Sequence, residues 1–271
     1  MSHFERVLIT GAAGALGKEL RKSGQRLAKR VRLTDRLASD DLLPHEEDRP
    51  FELADMKAVL AGVEGCDAIV HLGAKATEGG WDEVLQSNII GAYNIYEAAR
   101  LKGVKRIIYA SSVHAVGYYE RNHTIDARVP TKPDSLYGVS KTFGENLASL
   151  YFDKFGIESV SLRIGSCYAE PTDRRHLITW LSFRDMRQLV ERSLAAPRVG
   201  FLISYATSAN SESFWDNRAA SILGYRPEDS ADAFRDRMFE KVPQGDPNDP
   251  AIKYQGGIFC AWGHLDDQKK S

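Results

Sequence analysis

Along the chain, short apolar β-branched runs alternate with longer stretches whose apolar residues recur every three to four positions. "RVLIT" (6–10), "VRLTD" (31–35), "DAIVHLGA" (67–74), "RIIYASS" (106–112) and "ESVSLRIGS" (158–166) read as strands. They lack polar–apolar alternation, as expected of parallel strands covered on both faces. The spacing predicts helices over 15–29, 54–62, 81–102 and 136–155, the last with a stripe of Phe143, Leu147, Leu150, Tyr151 and Phe155. This β-α alternation predicts an α/β fold, a Rossmann-type doubly wound parallel sheet.

The rhythm changes after about residue 166. A loop, a helix over 182–196, a strand over 201–209 and a Pro/Gly/Asp-rich tail suggest a small irregular lobe over the carboxyl ends of the strands. Residues 1–165 read as the dinucleotide-binding core. Residues 166–271 read mostly as a substrate lobe that contributes a further core strand near 201–209 and does not fold on its own.

Composition narrows the function classes. A net charge of −1 over 271 residues gives no electrostatic reason to expect nucleic acid or an anionic membrane as partner. No apolar run reaches the length of a membrane span, and the start of the chain lacks a signal-peptide core. Cys66, Cys167 and Cys260 are far apart without a CxxC pair, and no HxxxH spacing occurs. Neither a disulfide framework nor a metal site is expected, and a cytoplasmic location fits.

"ITGAAGALGKEL" places Gly11, Gly14 and Gly17 where the first strand passes into a helix. Glycines there permit a tight turn and let backbone approach a pyrophosphate at the helix N-terminus. Asp35 follows 18 residues after Gly17, where a carboxylate can accept hydrogen bonds from ribose hydroxyls and repel a 2′-phosphate. That favours NAD, although Arg36 next to it could pair with such a phosphate. In "SLYGVSKTFGENL", Tyr137 and Lys141 are separated by one helical turn and share a face. A cation beside a phenol favours the phenolate, one route to a general base.

Taken together, the glycine turn, the acidic strand end and YxxxK resemble the extended, epimerase-like branch of the short-chain dehydrogenase/reductase superfamily. "NIIGAYNIYEAAR", "YGVSKTFGENLASLYFDKFG", "RIGSC", "TWLS", "SAN" and "WDN" narrow the resemblance to uronate dehydrogenases over nearly the whole chain. The resemblance implies catalysis by Ser112, Tyr137 and Lys141, with Asn88 organising the lysine. It adds Ala15, Leu16, Leu53, Leu72, Gly73, Ala74, Asn88, Ser111 and Ile164 to Asp35, Arg36, Tyr137, Lys141 and the glycines as the cofactor site. It places substrate against Lys75, Ala76, Ser112, Val113, His114, Tyr137, Ser166, Arg175 and Phe259. Of these, Arg175 holds the sugar carboxylate and Phe259 walls the ring.

Such enzymes oxidise the anomeric carbon of D-glucuronate or D-galacturonate to a lactone and reduce NAD. Val113 stands where that family has a sugar-binding asparagine, Ala76 stands where it has a serine, and Lys75 adds a cation. These departures keep sulfoquinovose, a sugar with a sulfonate at C6, and other aldoses open as substrates of the same C1 oxidation. A sugar-nucleotide epimerase or dehydratase and an NAD-sensing binding protein are the alternatives in other classes. By analogy, the helices at 81–102 and 136–155 would pair in a homodimer or larger homo-oligomer.

Overall fold

In the computed structural model, which describes residues 4–265 and 267, seven parallel strands form one sheet. They are β1 (Arg6–Thr10), β2 (Arg30–Thr34), β3 (Glu46–Asp48), β4 (Ala68–His71), β5 (Arg106–Ser112), β6 (Glu158–Ile164) and, later in the chain, β9 (Phe201–Ala206). The spatial order is β3-β2-β1-β4-β5-β6-β9. The order reverses between β1 and β4, and a crevice opens there at the carboxyl ends.

Alternate residues of each strand feed opposite cores, which is why the runs are apolar throughout. Val7, Ile9 and Ile108 pack on one face with Leu20, Leu189 and Val190. Leu8, Ile107 and Tyr109 pack on the other with Val59, Ile95 and Tyr151. Each fully buried aliphatic side chain contributes about 1.5–3 kcal/mol against exposure. The helices on these faces are α1 (Ala15–Arg21), α2 (Met56–Val63), α4 (Gly91–Lys102), α5 (Leu136–Phe155) and α7 (Phe183–Ala195), and α3 (Trp81–Val84) precedes α4.

Several boundaries differ from the expected ones. The helix expected over 15–29 stops at Arg21, and a 3-10 turn follows at Gly24–Arg26, where Gly24 has φ +51°. Strand β3 has no apolar signature: its sequence is Glu-Glu-Asp, and it is held at the sheet edge by Arg21–Glu46 and Arg32–Glu47 ion pairs. The helix expected over 81–102 is broken by a π turn, Leu85–Ile90, which carries Asn88. The strand expected to run to 166 ends at Ile164. Gly165 passes so close to Thr179 that a Cβ would lie 2.1 Å from its carbonyl oxygen. The chain then forms β7 (Ser166–Cys167), paired in parallel with β8 (Trp180–Leu181), with α6 (His176–Thr179) between them.

The remaining C-terminal segments include α8 (Arg235–Lys241) and α9 (Pro250–Lys253), and residues after β8 help build two small apolar clusters. One contains Val113, Tyr205, Phe214 and Trp215; the other Leu177, Trp180, Ala231 and Met238. Among the described residues, no helix is long and apolar enough to cross a membrane.

Candidate active site

One cleft of about 1820 Å³ runs from the β1–α1 turn, across the ends of β4, β5 and β6, to the C-terminal segments. That volume exceeds what a single drug-sized ligand fills and leaves room for a dinucleotide and a sugar.

At its first end, Gly11 has φ +71°, and a Cβ there would lie 2.8 Å from the Gly73 nitrogen. A Cβ on Gly17 would lie 2.3 Å from the Gly11 oxygen. Gly14 is the N-cap of α1 and offers no side chain to its N–H groups, leaving them for an anion. The cradle therefore fits a pyrophosphate, and a side chain at Gly11 or Gly17 would collide with the backbone that shapes the turn. Asp35, at the end of β2, accepts from the Ala13 N–H at 3.0 Å and the Arg36 N–H at 2.8 Å. Ala15, Leu16, Leu53, Leu72, Gly73, Ala74, Ser111 and Ile164 all line the same cleft, as do Asp35 and Arg36.

Asn88 does not line it. Its carboxamide is buried behind the wall, where it accepts from the Lys75 N–H at 2.7 Å and donates to the Lys75 carbonyl at 3.1 Å. It also donates to Ser140 Oγ at 2.9 Å, and that hydroxyl donates to the Tyr137 carbonyl at 2.7 Å. Asn88 thus ties the loop after β4 to the first turn of α5. Among the described residues its side chain is a positioning group, with no hydrogen bond to Lys141.

Ser112 closes β5, and Tyr137 and Lys141 project from the first two turns of α5. That helix start is over-determined. Ser135 Oγ accepts from the Gly138 N–H at 3.0 Å, and the buried Glu78 carboxylate accepts from the Leu136 and Tyr137 N–H groups at 3.2 and 2.9 Å. Gly138 lies against His114, whose carbonyl oxygen would be 2.4 Å from an added Cβ. The Ser112 hydroxyl lies beside the Tyr137 phenol and favours its ionised form.

Burial pushes that phenol up to about 12, against the lowering effect of Ser112. Burial likewise pushes Lys141 down to about 8. Its ammonium lies 5.4 Å from the ring centroids of both Tyr109 and Tyr137, over the rings. The lowering of the phenol expected from the lysine is therefore not seen: desolvation decides its direction.

His114 donates or shares its Nδ1 proton with Asp134 Oδ2 at 2.7 Å, and the Asp134 carboxylate is wholly buried. Its ring stacks on Phe259 with centroids 3.8 Å apart and meets Tyr137 edge-on at 5.8 Å. Beneath the site, Glu145 grips Arg163 through two contacts of 2.8 Å and accepts from Ser111 Oγ at 2.6 Å. Breaking a buried pair of this kind typically costs about 3–5 kcal/mol.

At the far end, Arg175 donates through Nε to the Gln255 carbonyl at 2.6 Å and through Nη1 to Ser166 Oγ at 3.4 Å. Among the described residues its Nη2 is buried without a hydrogen-bond partner, and burial lowers the pKa of the guanidinium. An orphan buried guanidinium nitrogen is costly unless a ligand oxygen meets it. Ser166 is fixed by Thr179, Oγ to Oγ1 at 2.8 Å. Lys75 lies on the cleft wall with its ammonium 3.3 Å from Glu83, so much of its charge is answered locally. Val113 and Ala76 also line the cleft, and Val113 packs into the apolar cluster around Trp215.

All nine substrate positions expected from sequence face this one cleft. The sequence reading missed Glu78, Asp134, Gln255 and Arg121. Asp134 and Ser135 carry a helix-start signal, but nothing in sequence marks the aspartate as the partner of His114.

Residues 7–190 match the NAD dependent epimerase/dehydratase family, and the chain belongs to that family. Within it, the chain is similar to the uronate dehydrogenase of Pseudomonas syringae pv. tomato, 48% identical over 269 residues that cover 98% of this chain and 96% of that protein. The crystal structure of glucuronic acid dehydrogenase from Chromohalobacter salexigens superposes with a TM-score of 0.95 at 49% identity, covering 97% of this chain and 99% of that one. A tyrosine-to-alanine variant of Agrobacterium tumefaciens uronate dehydrogenase, complexed with NAD, superposes with a TM-score of 0.92 at 47% identity, covering 96% and 98%.

Proposed function

We propose that the chain is an NAD-dependent sugar 1-dehydrogenase that oxidises the anomeric carbon of a cyclic hexuronate, D-glucuronate or D-galacturonate, to its lactone. The observation that carries this reading is the pairing of two chemistries in one cleft. Ser112, Tyr137 and Lys141 meet at the strand ends, and the orphan Nη2 of Arg175 waits beside Ser166 at the far end. A sugar bridging them would put its carboxylate on the arginine and its C1 hydroxyl at the tyrosine. Similarity to dehydrogenases of uronate and glucuronic acid supports the same substrate class.

NAD, when bound, supplies the hydride acceptor and a positive charge. The glycine turn, Asp35 and the residues around Gly73 and Ser111 would hold it. Tyr137 takes the proton of the anomeric hydroxyl, and Ser112 hydrogen-bonds the same oxygen as the carbonyl develops. Lys141 opposes the cost of burying a phenolate. His114, oriented by Asp134, presents Nε2 to the ring hydroxyls, and Phe259 walls the ring. Residues up to 165 thus serve mainly the cofactor, and residues from 166 onward mainly the sugar. Tyr93, Leu101, Val139, Leu150 and Phe155 on α4 and α5 are exposed apolar residues, which supports association of these helices in a homodimer. A cytoplasmic location fits the free cysteines.

Carbon NMR of a reaction with C1-labelled glucuronate and NAD tests the chemistry. A lactone carbonyl signal at the labelled carbon is expected, and a labelled carbon that stays at the anomeric level of oxidation would refute it.

Asp35 predicts the cofactor preference. Wild-type kcat/KM should favour NAD over NADP, and Asp35→Ala should narrow the ratio by removing like-charge rejection of the 2′-phosphate. A wild-type preference for NADP would mean that Arg36 governs the site instead.

A further inference from the structure

Arg121, in the loop that follows β5, lies on the same cleft wall as Arg175. Its Nε donates to the Tyr254 carbonyl at 3.1 Å and its Nη2 to the Ala251 carbonyl at 2.7 Å. Arg175 donates to the next carbonyl along, that of Gln255. One short stretch of backbone therefore anchors both guanidinium groups.

The buried Gln255 side chain fixes that stretch against the Arg121 loop. Its Nε2 donates to the carbonyls of Glu120 and His123 at 3.1 and 2.8 Å, and its Oε1 accepts from Trp215 Nε1 at 2.9 Å. Arg121 is thus a held residue, unlike a solvated loop arginine.

Among the described residues, the hydrogen bonds of both arginines go to main-chain carbonyls or to a hydroxyl, never to a carboxylate. Burial pushes Arg121 down to about 10, and the charge of Arg175 pushes it the same way; Asp173 acts oppositely. Asp173 and Asp134 also act on Arg175. Two half-buried cations on one cleft wall, without a paired anion among the described residues, make a site that an anionic ligand would relieve.

A carboxylate has two oxygens, which one guanidinium fork can engage together. A second guanidinium is better used by a third oxygen. Ala76 and Val113 offer the ring no side-chain hydrogen bond, and Lys75 is answered by Glu83, so binding leans on the arginines. We infer that Arg121 is a second anion-binding residue of the substrate pocket, and that with Arg175 it extends the C6 site beyond a carboxylate to pyranoses bearing a tetrahedral, three-oxygen anion. The inference rests on the reading of the cleft as a sugar 1-dehydrogenase.

The test compares sulfoquinovose, glucose 6-phosphate and glucuronate on wild type, Arg121→Gln and Arg121→Lys, with NADH formation as readout. The two three-oxygen sugars separate a sulfonate from a phosphate. In Arg121→Gln, kcat/KM for whichever of them is turned over should fall at least tenfold relative to glucuronate, mainly through KM. Arg121→Lys, which keeps the charge, should recover part of that loss, a recovery a merely structural role would not give. An unchanged ratio, or wild-type turnover of glucuronate with neither three-oxygen sugar, overturns the inference and leaves the proposed function standing. If wild type oxidises none of the three, the proposed function falls. The paired arginines are then read by thermal unfolding in sodium sulfate against sodium chloride at equal ionic strength. Sulfate stabilisation should be present in wild type and lost in Arg121→Gln; equal stabilisation of both overturns the inference.

Discussion

Tyr137→Phe should lower turnover by roughly 10²–10⁴-fold, the usual scale for loss of a positioned general base. The substitution deletes one oxygen and leaves the ring, so the edge contact with His114 and the Lys141 position over the ring should survive. NAD affinity should therefore change little when measured by fluorescence titration. The same group sets the acid side of the pH profile. Burial holds the phenol up at about 12, far above neutrality, and Lys141 down at about 8. Base action requires the deprotonated form, so wild-type kcat/KM should fall as pH is lowered from about 8 toward 6. Near-normal turnover in Tyr137→Phe would take the tyrosine out of the mechanism.

Arg175→Ala should lower kcat/KM for the anionic substrate by tens to thousands-fold. Truncating one member of a buried charge-assisted pair costs about 2–5 kcal/mol. Here the loss removes both the Nη2 donor awaiting an oxygen and the Nη1 contact with Ser166. It also frees the Gln255 carbonyl, so thermal unfolding of the variant should be measured beside its kinetics. A neutral aldose has nothing for the guanidinium to hold and should lose much less. Equal slowing of glucuronate, galacturonate, sulfoquinovose and glucose would mean that Arg175 supports the cleft without reading charge.

The parallel strands and the glycine turn were legible in the sequence because their signals are local. An apolar run without alternation means burial on both faces, and Gly11 sits at a positive φ that few other residues adopt. The edge strand Glu46–Asp48 was hidden because distant arginines, not apolar burial, hold it in place. The π turn at Leu85–Ile90 was hidden because its sequence reads as ordinary helix. Gly24 and Gly165 could be seen as glycines but not as chain breaks; the close approach of Thr179 to Gly165 is a tertiary fact. The candidate catalytic residues were singled out by one-turn spacing and family resemblance, and they line one cleft. Their supports were not singled out: Glu78 reaches α5 from 59 positions away, and Gln255 clamps a loop 132–135 positions away. The effect of lysine on the phenol also needed the structure, since spacing gives proximity but says nothing of how deeply both groups are buried.

The central claim is oxidation at C1 of a free anionic sugar, and kcat/KM for NADH formation across glucuronate, galacturonate, sulfoquinovose, glucose and UDP-glucuronate tests it most directly. A free sugar carrying an anion at C6 should be the best substrate, ahead of glucose by tens-fold or more, with UDP-glucuronate, whose anomeric oxygen is blocked, giving no NADH. Glucose as the best substrate, or NADH from none of the free sugars, would contradict it.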